Sequence, residues 1–316
     1  MCIHSREKVG TVETLPLFLS TKLFSMRKYL LPYSLLTILS VFTTFTLSAQ
    51  KVTESRAPEE WSRTYEPFRI AGNLYYVGTY DLACYLVTTP AGNILINTGL
   101  AASAPQIRHN IEKLGFNFKD IKILLTTQAH YDHMGAMAEI KKLTGAALMV
   151  DEKDAAQVAD GGISDYAMGI YGRTFRPVKP DRLLNDLDTI TLGNMQLEML
   201  HHPGHTKGSC SYLLSAKDNK KTYRVLIANL PSIIIDNKFS EETAYPDIAR
   251  DYAYTLDAMK KLSFDIWVAS HASQFNLHHK HHPGDAYNPE AFIDRKGYDS
   301  ALYDLQKDYD RKIHVD

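Results

Sequence analysis

The chain has 316 residues, 45% hydrophobic and 22% charged, with a formal net charge of −1. It carries neither the basic excess that tracks a nucleic-acid backbone or an anionic membrane surface nor a long low-complexity tract, so its composition is that of a folded globular protein.

In chain order, the first distinctive segment is MRKYLLPYSLLTILSVFTTFTLSAQ, from Met26. Basic Arg27 and Lys28, an apolar run of signal-peptide length, and small Ser48 and Ala49 before Gln50 predict a secretory signal over 26–49, cleaved after Ala49, with export to the periplasm. Pro32 and the many Ser and Thr residues make the run too weak for a stable membrane anchor. Residues 1–25 read as neither signal nor domain: they are either an upstream extension or a mis-assigned start, with Met26 the true one. Without residues 1–49 the chain keeps 30 Lys+Arg against 34 Asp+Glu. Residues 50–316 are long enough for one domain burying roughly three quarters of the surface of the unfolded chain. Export would permit a disulfide, yet only Cys84 and Cys210 remain. Each lies in an apolar strand-like run (DLACYLV, GSCSYLL) and reads as a buried small side chain without metal-ligand spacing. Their pairing is left open.

FRIAGNLYYVGTY, DLACYLVTTPAGNILINTG and IKILLTTQ read as short strands broken by Gly and Asn turns. Between the last two, APQIRHNIEKLGF has Ile107, Ile111 and Leu114 at helical spacing and ends at Gly115. MGAMAEIKKLTG predicts a helix stopping at Gly145, and ALMVDEKDAAQV a strand and then a helix. TITLGNMQLEMLHHPGHTKGSCSYLL and YRVLIANLPSIIID read as strands, DYAYTLDAMKKL as a helix, and FDIWVASHAS as a strand ending in a loop; residues 288–312 predict a last amphipathic helix. Strands first, then strands mixed with helices, without internal repeats, suit an α/β fold of two sheets packed face to face with helices outside, a four-layer αββα sandwich in a single domain.

The chemistry concentrates in TTQAHYDHMGA, residues 126–136. Gln128, His130, Asp132 and His133 lie where a strand end meets a helix start, so their side chains can converge on one point. Zinc takes about four N, O or S donors near 2 Å, and catalytic sites leave one position for water. His205 in HHPGHTKGS and His271 in VASHASQ follow later strand-like runs, where α/β proteins place ligands. A lone loop histidine is more often a solvated or hydrogen-bonded side chain, but HxDH before a helix together with a later GHT loop favours ligation. His201 and His202 are candidates to support the ligands from behind. HHKHH at 278–282 reads as a surface loop and is excluded from the site.

These motifs, with EPFRIAGNLYYVGTYDLA, GNILINTG, QAHYDH, FRPVKPDRLL, VLIANLPS and WVASHASQF, resemble the metallo-β-lactamase fold, and specifically the subclass B3 metallo-β-lactamases of GOB type, which carry Gln at the first ligand position. The similarity spans essentially all of 50–316. It implies one metal site from Gln128, His130 and His205 and a second from Asp132, His133 and His271, holding one or two Zn2+. An amide oxygen is a poorer zinc donor than imidazole or carboxylate, so the Asp132/His133/His271 site is expected to be the stronger.

The activity implied is hydrolysis of the β-lactam amide of penicillins, cephalosporins and carbapenems by metal-bound water or hydroxide, conferring antibiotic resistance. Asp132 would ligate the second metal and orient the water. Ser232 matches a serine that contacts the substrate carboxylate, whereas Leu230 stands where many relatives carry another serine; Ser232 read alone is a turn residue after Pro231. Asn97 replaces an Asp common in the superfamily, which alters the hydrogen bonds behind the ligands. A lactonase or thioesterase of the same fold would use a bridging carboxylate that neither Asn229 nor Leu230 supplies. Two further alternatives are a non-catalytic metal-binding protein and an iron redox protein, the latter lacking the carboxylates that a di-iron centre prefers. A monomer is expected, with β-lactams the only partners.

Overall fold

The structure, a computed structural model, describes residues 52–53 and 56–315. The expected signal over 26–49 and residues 1–25 lie outside the described residues. No described helix is long and apolar enough to cross a membrane.

Four short strands open the fold: β1 (Phe68–Ala71), β2 (Leu74–Tyr76), β3 (Tyr85–Thr89) and β4 (Gly92–Ile96), paired antiparallel in sequence order. Helix α1 (Ala104–Lys113) then crosses to β5 (Ile121–Leu125), which pairs parallel with β4. After the one-turn α2 (Tyr131–Met134) and α3 (Met137–Thr144) come β6 (Ala147–Asp151), α4 (Ala155–Asp160) and β7 (Arg182–Leu184), whose strands extend the parallel part to a seven-stranded sheet. The second sheet has five strands in the order β12-β11-β10-β9-β8: β8 (Thr189–Leu192), β9 (Met195–His201), β10 (Cys210–Lys217), β11 (Thr222–Ala228) and, after α5 (Ile248–Lys260), β12 (Ile266–Ala269). Helices α6 (Leu277–Lys280) and α7 (Arg295–Val315) finish the chain.

The period-two alternation of strands sorts side chains into two layers. Tyr85, Val87, Ile94, Ile96 and Leu125 face the second sheet, where Leu197, Met199, Tyr212 and Val225 join the same core. Their neighbours Leu86, Leu95 and Leu124 point the other way, onto Ile107 and Ile111 of α1 and Met137 and Ile140 of α3. Each fully buried Ile or Leu contributes about 2 kcal/mol of apolar burial, so the helical spacing read from the sequence is what fastens α1 to the sheet. Behind the second sheet, Tyr298 and Leu302 of α7 pack with Trp267 of β12, and Tyr298 Oη donates to the Met259 carbonyl of α5 at 2.9 Å. The result is the expected αββα sandwich.

Three details differ from the sequence reading. The strand in YRVLIANLPSIIID stops at Ala228, because Pro231 has no N–H for a ladder and residues 229–236 turn away from the sheet toward the site. The last helix begins at Arg295 rather than at 288, since the Asp294 carboxylate caps it by accepting from Gly297 N at 2.8 Å. The short β7, with only Leu184 buried, has no apolar run to announce it. Cys84 and Cys210 are buried and unpaired.

Candidate metal centre

Apolar β5 is flanked on both sides by parallel strands, and it delivers residues 126–130 to the rim between the two sheets. That loop is tied down on every side. Asn97 Oδ1 accepts from Thr127 N at 2.9 Å and from the Thr127 hydroxyl at 3.2 Å. Cys210 N donates to the Thr127 carbonyl at 2.8 Å and Tyr212 Oη to that of Thr126 at 2.7 Å, so the second sheet grips the end of the first. Asn97 sits at φ 63°, a left-handed conformation that Asn tolerates better than most residues, and so supplies the acceptor at a turn. The substituted side chain therefore supports the backbone leading to Gln128.

His130 occupies the N-cap position of α2, and its carbonyl accepts from His133 N and Met134 N. One helical turn then carries Asp132 and His133 round to the same rim; the His133 carbonyl is held by Thr98 N and Thr98 Oγ1, both at 2.9 Å. Immediately after α2, Gly135 lies so close to the backbone of Leu100 and Ala101 that an added Cβ would come within 2.4 Å of Ala101 N. His205 arrives on the loop between β9 and β10. There Gly204 adopts φ +128° against the ring of Tyr252, a seat that any side chain would disturb. His271 follows β12 and is fixed by an isolated bridge to Leu82.

Two clusters result. In the first, His130 Nδ1 and His205 Nε2 stand 3.2 Å apart. In the second, Asp132 Oδ2 lies 3.2 Å from His133 Nε2 and 3.3 Å from His271 Nε2. Two donors bound to one tetrahedral zinc at about 2 Å are about 3.3 Å apart, so all three separations fit shared coordination. The outer ring nitrogens are occupied by acceptors: His130 Nε2 by Asp165 Oδ2 at 3.2 Å, His205 Nδ1 by the Ser232 carbonyl at 2.8 Å, and His271 Nδ1 by Asp81 Oδ2 at 3.0 Å. With protons spent on those partners, lone pairs face each other across the first cluster, and only a cation or a proton between them relieves the repulsion. Gln128 Oε1 and both ring nitrogens of His133 are buried without hydrogen-bond partners, a costly state that a metal would remove. The donor set fits zinc.

The charges agree. Burial pushes Asp132 up, but the neighbouring His133 and His271 outweigh it and hold the carboxyl well below its usual range. His205 is pushed down to about 3 by burial and then by His130. His133 is lowered, mainly by burial. Burial also opposes charge on His271, yet its bonds to Asp132 and Asp81 raise it to about 9. A neutral or proton-bearing imidazole facing an ionised carboxylate is a ligand set that exchanges protons for metal.

A family model of the metallo-β-lactamase superfamily matches residues 79–218. Among solved structures, the metallo-β-lactamase GOB-18 from Elizabethkingia meningoseptica superposes with a TM-score of 0.84 at 62% identity, covering 85% of this chain and 100% of that one. The class B3 di-zinc metallo-β-lactamase LRA-12 from an Alaskan soil metagenome gives 0.82 at 66% identity over 83% of this chain and 99% of that one. The chain belongs to the subclass B3 metallo-β-lactamases. Curated relatives match over shorter stretches: an uncharacterized protein of Aquifex aeolicus is 29% identical over 130 residues, 38% of this chain, and the chain spans 61% of that relative's length.

Beyond the six expected donors, this subclass B3 chain carries supports that sequence reasoning missed. Asp81 not only holds His271 but accepts from Trp61 Nε1 at 3.1 Å and from Ser273 N at 2.9 Å. Asp165 comes from the loop after α4, and Tyr252 Oη donates to the Ser232 carbonyl at 2.9 Å. None lies in a motif with metal-ligand spacing. His201 and His202 bond to Asp151 Oδ2 at 2.6 Å and Ser211 Oγ at 2.7 Å rather than to the ligand rings. The HHKHH stretch is only partly a surface loop. His278 stacks on Tyr80 and His281 is buried against Phe68, with ring centroids 3.6 Å apart, because both rings complete an aromatic cluster. Among the described residues, the one group of three or more His, Cys, Asp or Glu able to share a metal is Asp132, His133 and His271.

Proposed function

We propose that the chain is a zinc-dependent β-lactamase that opens the β-lactam amide of penicillins, cephalosporins and carbapenems in the periplasm after signal removal, conferring antibiotic resistance. The observation that carries this reading is the pair of adjacent donor clusters whose outward ring nitrogens are already bonded to acceptors. Gln128, His130 and His205 would hold one zinc, and Asp132, His133 and His271 the other. Bound zinc supplies Lewis-acid polarisation of a carbonyl and a nucleophile derived from water at neutral pH.

The protein's own groups do the rest. Asp132, ionised and with its side chain 9% exposed, can accept a hydrogen bond from an attacking water and fix its line of approach. His271, 14% exposed, opens the same face to substrate, while His130 and His133 are almost sealed. Ser232 would meet the substrate carboxylate. His205 Nδ1 lies 2.8 Å from its carbonyl and 3.2 Å from its hydroxyl; with the ring as donor to both, the hydroxyl proton is free for an anion. Leu230, 6% exposed, offers that anion nothing. A four-membered lactam opened this way needs no serine nucleophile.

A lactonase or thioesterase reading requires a carboxylate at the end of β11. Asn229 is there instead, with its Oδ1 taken by Ser270 Oγ at 3.3 Å. A metal-sequestering protein would bind zinc without turnover. Hydrolysis of a chromogenic cephalosporin by the zinc-loaded, exported chain separates these readings; folded, loaded protein without turnover would refute the β-lactamase.

The amide makes the first site the weaker, and the second is the one we expect to fill first. Replacing Gln128 by His substitutes a good nitrogen donor for a poor oxygen one, so Gln128→His should tighten the weaker zinc-binding step by roughly tenfold or more. Competition against a chromophoric chelator measures it. An unchanged weaker step would remove Gln128 from the ligand set.

A further inference from the structure

We infer that Asp165 is a positioning residue for the first zinc site, setting which nitrogen of His130 carries the proton and coupling that site to the loop 161–175. The inference rests on the two-site reading above and extends it to a residue outside every motif.

Asp165 is buried, with its side chain 1% exposed, and its two oxygens have separate tasks. Oδ1 accepts from Ala167 N and Met168 N, folding the loop back on itself. Oδ2 faces His130 Nε2 at 3.2 Å. A carboxylate only accepts, so it holds the His130 proton on Nε2 and leaves Nδ1, the atom facing His205, as a lone pair. The adjacent Tyr166 Oη donates to the carbonyls of Gly204 at 3.2 Å and His205 at 3.1 Å. One loop thus seats both histidines of the first site, whereas the second depends on Asp81 from the 79–82 turn. The weak site therefore has its own support, independent of the strong one.

The isosteric change Asp165→Asn has no good solution. With the amide oxygen kept on Ala167 N and Met168 N, the NH2 points at His130 Nε2 and drives the ring proton to Nδ1, into the metal position. Flipped, the NH2 opposes two backbone N–H groups. Loss of such a support typically costs metal affinity roughly 10- to 100-fold.

The test titrates zinc into the metal-free exported chain, its Asp165→Asn variant and its Asp81→Asn variant, against a chromophoric chelator. Imidazole NMR signals of His130 and His205 report the first site, and those of His133 and His271 the second. Expected is a roughly 10- to 100-fold loss confined to the His130/His205 step in Asp165→Asn, and the mirror loss in Asp81→Asn. Wild-type affinity at both sites of a folded Asp165→Asn variant, or a loss confined to the His133/His271 step, overturns the inference. Should the variant fail to fold, the zinc-loaded wild type decides: His130 must show an Nε2–H protected from solvent exchange, and its absence overturns the inference. Failure of the wild type to bind zinc at all would instead count against the two-site reading itself.

Discussion

Asp132→Asn is expected to lower kcat/KM for a cephalosporin by roughly 10³-fold, about 4 kcal/mol of transition-state stabilisation, with kcat carrying most of the loss. The side chain has two jobs. Its Oδ2 faces His133 Nε2 and His271 Nε2, and in the proposed reaction its negative charge would orient an attacking water. Asparagine keeps the shape but offers an uncharged amide oxygen, the kind of donor proposed for Gln128, so the second site should lose zinc affinity as well. Steady-state kinetics at saturating zinc, with metal content measured on the same sample, separates the two losses. A variant that keeps full zinc and full kcat would show that Asp132 is neither ligand nor orienting group.

Stripping the metal is the second large effect. A ligand present at about 1,000 times its dissociation constant stabilises the folded state by about 4 kcal/mol, so chelation should lower the Tm by roughly 10 °C and abolish turnover together. The physical reason is local. Without a cation, Gln128 Oε1 and His133 Nδ1 lie buried without hydrogen-bond partners, and His130 Nδ1 and His205 Nε2 need a proton between them to avoid opposed lone pairs. Adding zinc back should restore both quantities. A Tm indifferent to the chelator would mean that the clusters do not hold metal.

How much of this was legible beforehand follows from the range of the interactions. The sandwich was readable because strand alternation and the helical spacing of Ile107 and Ile111 are local patterns that directly determine which face is buried. That Asp132, His133 and His271 come together, and that His130 meets His205, was readable because these residues follow strand ends in short motifs. Asp165 and Asp81 were not, since each earns its place only through a partner brought near by folding: His130, 35 residues away, and His271, 190 residues away. The same limit explains His201 and His202. Their position beside His205 suggested a supporting role, but alternation along β9 and its exit loop turns their rings to Asp151 and Ser211. The end of β11 was misplaced for a related reason: Ile233 and Ile235 read as strand, yet they pack against the cluster of Phe239, Tyr245 and Tyr252 beside the site.

These donors are proposed to hold zinc for β-lactam hydrolysis. The most direct test is the rate of hydrolysis of a chromogenic cephalosporin by the metal-free protein as zinc is titrated in, with a clavulanate-type serine trap present throughout. Expected are no turnover without metal, hydrolysis that rises as zinc fills the Asp132, His133 and His271 site, and indifference to the trap. Folded, zinc-loaded protein that leaves the cephalosporin intact, or hydrolysis that survives complete removal of metal, would contradict it.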